Sequence, residues 1–119
     1  MPSDPIAERY TALVAKRPEC RVPGLMHRPP RYPGDVCDWT HDHYPLTNYE
    51  ANALIGWHLT RTMEGTGYTL CAPCPYSSNP ITAGWHIARL GINHHDPDPR
   101  FGSHPDHLSA ILAFWEQQA

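Results

Sequence analysis

The chain has 119 residues, of which 40% are hydrophobic and 18% charged, and its formal net charge is −3. Pro (14), His (9), Cys (4) and Trp (4) are the unusual counts. This length suits a single domain over residues 1–119 with a modest core, and the composition excludes a collagen, a coiled coil and a low-complexity tail.

In chain order, the first expected element is a helix over about 5–16. Ser3 is a candidate cap and Pro5 suits the first turn. Ile6, Tyr10, Leu13 and Val14 recur at helical spacing, and Pro18 stops the pattern. Residues 18–45 hold six prolines and read as a long irregular basic loop. A loop this long is uncommon in a compact domain, so something must tie it down. The second helix spans about 48–63 and opens on Thr47-Asn48-Tyr49-Glu50, which fits a capping box. Its apolar residues cover more than one stripe, so Leu54 and Trp57 are expected in the core.

Residues 64–80 read as a turn-rich link, with room for a short hairpin around Tyr68–Leu70. A third helix is expected over about 81–90 from Ile81, Trp85 and Ala88, capped by Gly91. Residues 92–104 form a polar loop. The fourth helix spans about 105–117, with Ser103 as cap and Leu108, Ile111, Leu112 and Trp115 on one face. The expected fold is therefore all-α: about four helices with a pinned proline-rich loop. Gly56-Trp57-His58 and Gly84-Trp85-His86 echo one another, which reads as repeated use of Trp as core filler together with Leu13, Leu112 and Trp115.

No run approaches ~18 apolar residues, and Asp4 and Glu8 stand where a signal peptide would be basic and then apolar. The expected location is cytoplasmic. Eight of nine basic residues are Arg, which suggests a GC-rich bacterial or phage genome. Charge is uneven. Residues 1–34 carry six basic and three acidic side chains, and residues 35–119 carry three and nine. Only the 16–31 loop could meet nucleic acid or an acidic partner, through Arg21, Arg28 and Arg31.

Four cysteines without an export signal point to thiols or a metal rather than disulfides. Cys71-Ala72-Pro73-Cys74 places two thiolates within reach of one tetrahedral ion. Cys20 and Cys37, both in the loop that needs an anchor, would complete a structural zinc site. The competing ligands are His86 and either His94 or His95. The segment Leu70-Cys71-Ala72-Pro73-Cys74-Pro75 resembles the middle of the cluster motif of the WhiB-like iron–sulfur regulators. The resemblance implies an iron–sulfur cluster. Pro80 stands where that family has its fourth Cys, so Cys20 or Cys37 would have to replace it.

His41-Asp42-His43, His94-His95-Asp96 with Asp98, and His104 with Asp106 and His107 would suit a metal-dependent hydrolase or nuclease, yet none matches a spaced signature. No nucleophile elbow, P-loop or dinucleotide turn is present. The reading is a small non-enzymatic interaction or regulatory protein with a structural zinc and a protein partner. The alternatives are that hydrolase and a nucleic-acid-binding or iron–sulfur regulator.

Overall fold

The computed structural model describes residues 5–29, 31–35, 38–74, 76, 78–91 and 95–118. Among them are three helices and seven strands in two antiparallel sheets, so the fold is mixed α/β and not all-α. The chain divides into two compact units, residues 1–58 and 59–119.

The first unit opens with α1 (Pro5–Lys16), whose Ala7, Tyr10 and Leu13 are buried. The candidate cap Ser3 lies outside the described residues. A 3-10 turn over Pro18–Cys20 leads into β1 (Leu25–Arg28), β2 (Asp38–His41) and β3 (Tyr44–Leu46), paired in that order. The stretch expected to be irregular thus contains a three-stranded meander. Its prolines did not prevent this, because Pro45 sits in β3, an edge strand whose missing donor costs little.

Three interactions tie this stretch down where a metal was expected. The buried Val22 N–H donates to the Tyr10 hydroxyl at 2.8 Å. The Arg28 guanidinium bridges Asp35, at 3.0 Å, and Asp38. The β2–β3 turn is two residues long, and both Asp42 (φ 49°) and His43 (φ 74°) are left-handed, as a tight hairpin turn requires. Trp39 on β2 is the centre of this core, with His27 and Tyr10 rings 4.6 and 6.0 Å away.

The expected capping box is present and reciprocal. Glu50 N donates to Thr47 Oγ1 at 3.1 Å, and Thr47 N donates to Glu50 Oε1 at 3.0 Å. These bonds hold the Glu50 carboxyl below its ordinary value. They start α2 (Asn48–Thr62).

The second unit contains β4 (Tyr68–Cys71), β5 (Trp85–Leu90), β6 (His95–Pro97), β7 (Ser103–His104) and α3 (His107–Gln118). The helix expected over 81–90 is the central strand β5, flanked by β4 on one side and by β6 and β7 on the other. His86, Ile87 and Ala88 are buried in succession, which is how a strand covered on both faces reads. Gly84 permits the close approach of β7: a Cβ there would lie 2.7 Å from the His104 carbonyl oxygen and closer still to Ser103. The polar loop expected over 92–104 includes β6 and β7. The α3 cap is Asp106, which accepts from Ser109 N at 2.8 Å, and not Ser103, which lies in β7.

Tyr68, Phe101, Phe114 and Trp115 form a chain of ring contacts at 5.1–5.6 Å. The Trp115 indole N–H donates to the Leu59 carbonyl at 3.0 Å. Of the expected core, Leu13, Leu112 and Trp115 are buried, Leu54 and Trp85 are half-buried, and Trp57 is exposed. The Trp57 and Trp85 segments are a helix and a strand, so their likeness is not a structural repeat.

Candidate functional site

The expected metal ligands do not assemble among the described residues. Cys37 and His94 lie outside them. Cys20 is fully buried in the first unit, where its thiol is pushed up to about 11, chiefly by burial. It behaves there as a small hydrophobe. Cys71 ends β4, half-buried, with its thiol also raised by burial, and Cys74 is exposed. His86, the β5 register partner of Cys71, is buried with Nδ1 2.9 Å from the Gly84 carbonyl oxygen. His95 Nδ1 is 4.0 Å from Cys71 Sγ. Among the described residues, no group of three or more His, Cys, Asp and Glu side chains is placed to hold an ion. Strand pairing and ion pairs order the described part of the proline-rich loop.

Several of the His and Asp residues considered for hydrolysis have structural partners. His41 Nε2 is 3.1 Å from the Pro23 carbonyl oxygen, and Asp42-His43 make the hairpin turn. Asp98 binds Arg100, Asp106 caps α3, and His104 Nε2 is 2.6 Å from the Phe101 carbonyl oxygen. These contacts hold the side chains to their local surroundings; of the candidates, Asp96 and Asp98 line one surface pocket, whose lining includes no described His.

The basic loop is similarly engaged. Arg28 is held by Asp35 and Asp38, which keep its guanidinium protonated. Arg31 N donates to Asp35 Oδ2 at 3.0 Å, and its Nε lies 3.7 Å from the same oxygen. Arg21 reaches Met26 Sδ at 3.4 Å. Sequence charge counts this loop as strongly basic, but the two aspartates that follow it neutralise Arg28 and Arg31 locally. A phosphate backbone would have to displace them.

What the sequence reading missed is the outer face of α2. Ala51, Ile55 and Leu59 are buried, one helical turn apart. Tyr49, Ala53 and Trp57 repeat the same spacing on the opposite side, with Tyr49 82% and Trp57 59% exposed. The three positions span about 12 Å of helix. Tyr44, on β3 of the same unit, is 76% exposed. Two aromatic side chains bracketing a small one make a shallow apolar surface on a rigid element. Trp and Tyr are the side chains that most often anchor protein interfaces.

Comparison with protein-family models, with curated proteins and with solved structures yields no significant match. The six-residue resemblance around Cys71 therefore has no family-level support. No helix among the described residues is long and apolar enough to cross a membrane.

Proposed function

We propose that the protein is a small non-enzymatic interaction module that binds a protein partner through the outer face of α2. The observation that carries this reading is the exposed Tyr49–Ala53–Trp57 stripe on a helix whose opposite stripe is buried. An exposed indole next to a small residue offers a large apolar area at low cost in side-chain entropy. The partner supplies an apolar pocket for the Trp57 indole, with Tyr49 at its edge. The structural roles of His41, Asp42, His43, Asp98, His104 and Asp106 favour this reading over the hydrolase. The pairing of Arg28 and Arg31 with Asp35 favours it over a phosphate-tracking loop.

A photo-crosslinking side chain at position 53 tests the proposal. One dominant adduct should form in the full chain and disappear when Trp57→Ala is added to a protein that stays folded. Adducts that are unchanged by Trp57→Ala would remove α2 as the docking face.

A further inference from the structure

The second unit carries an arginine pair beside a surface pocket of about 320 Å³, lined by Arg89, Asp96, Pro97, Asp98, Pro99 and Arg100. Arg100 is fixed in place. Its Nε lies 3.2 Å from both Asp98 oxygens, and its Nη2 donates to Asp98 Oδ2 at 2.9 Å and to the Tyr68 hydroxyl at 2.7 Å. Asp98 is itself held, because its Oδ1 also accepts from Arg100 N at 3.0 Å and caps the 3-10 turn over Pro99–Phe101. The second guanidinium, Arg89, sits 5.9 Å from the centre of the Tyr68 ring, and Arg89 is the cross-strand register partner of Tyr68. Tyr68 cannot swing away, since its ring packs on Phe101 and Phe114.

Tyr68 therefore has one guanidinium bonded to its hydroxyl and a second over its ring. Two cations side by side repel one another, and Asp98 is hydrogen-bonded to only one of them, Arg100. The bonds to Asp98 and Tyr68 leave the two Nη1 protons of Arg100 uncommitted, and Arg89 has five donors of its own. Proline walls on both sides of Asp98 keep the backbone from relaxing. Two carboxylates of the lining oppose an anion: Asp98, bonded to Arg100, and Asp96, the cross-strand partner of Arg89. They reduce the field and make a tight site unexpected.

We infer that this pocket binds an oxyanion, the phosphate or carboxylate group of a small ligand, between Arg89 and Arg100. Forked guanidinium donors match the geometry of such a group. Arg89 and Arg100 contact the ligand, and Tyr68 and Asp98 are positioning residues. This inference is independent of the α2 face, which lies in the other unit.

The test is a nuclear magnetic resonance titration of the full chain with inorganic phosphate and, separately, with acetate, at constant ionic strength set by chloride. The expected result is saturable shifts at the Arg89 and Arg100 side-chain N–H groups and at the amides of Asp96, Asp98, Arg100 and Phe101. Arg89→Gln should weaken binding roughly tenfold or more. Tyr68→Phe keeps the ring packing but loses the hydroxyl, and should weaken binding with the spectrum still folded. Asp96→Asn should tighten it, a sign that no cation site would give. Saturation by phosphate alone, by acetate alone or by both identifies the group bound and supports the site in each case. Shifts that do not saturate, that chloride reproduces, or that persist in Arg89→Gln would overturn it.

Discussion

Replacing Tyr10 by Phe removes one hydroxyl from the first unit and leaves the ring. In the native protein that hydroxyl accepts the Val22 N–H at 2.8 Å, and Tyr10 and Val22 are only 6% and 4% exposed. Water cannot replace the lost acceptor without opening the packing. A buried donor left without a partner costs about 1–3 kcal/mol. Two effects narrow that range. The variant no longer buries a hydroxyl, which offsets part of the loss, and the ring contact with Trp39 at 6.0 Å is kept, so no cavity term is added. The expected loss is therefore about 1–2 kcal/mol, toward the low end of the range. Native-state amide exchange reads it locally. The Val22 amide and the buried amides of α1 should exchange roughly 5- to 30-fold faster, while those of α3 stay unchanged. An unchanged Val22 rate would refute the claim that this bond joins α1 to the chain leading into β1. A loss above about 4 kcal/mol would show instead that the ring packing had collapsed.

Two further changes probe the second unit. Gly84→Ala should cost about 1–3 kcal/mol, seen as a lower urea midpoint with an unchanged slope, because its Cβ meets the His104 backbone; an unchanged midpoint would mean that β7 does not approach β5 so closely. The Asp98 carboxyl is held below its ordinary value of 3.8, first by its hydrogen bond from Arg100. Its contribution to stability is therefore present above pH 3.8 and is lost as pH falls through the lower, folded value. Asp98→Asn should flatten the acid limb of the stability–pH curve, and a superimposable curve would assign the acid loss to other carboxyls.

The three helices were legible because each carries signals that do not depend on distant residues. The Thr47–Glu50 capping box and the apolar face of α3 are local chemistry, and both recur in the structure. The strand β5 was not legible, because Ile81, Trp85 and Ala88 fit a helical spacing. A strand buried on both faces shows no alternation to contradict it. The meander in the first unit was hidden by its prolines and by strands of only three or four residues. The binding of Arg28 to Asp35 and Asp38 joins residues seven and ten positions apart, which a charge count cannot pair. The exposed stripe of α2 was not legible for a related reason. Helix α2 carries apolar residues at 51, 55 and 59 and again at 49, 53 and 57, and only the tertiary structure decides which stripe is turned inward.

The central claim is that Trp57 anchors a protein partner. It is tested most directly by identifying the protein crosslinked at position 53 and measuring its affinity, once purified, for the full chain and for Trp57→Ala. The account predicts a drop of roughly 30-fold or more in a variant that stays folded, the size expected for a central aromatic anchor. Equal affinity for both proteins would contradict it.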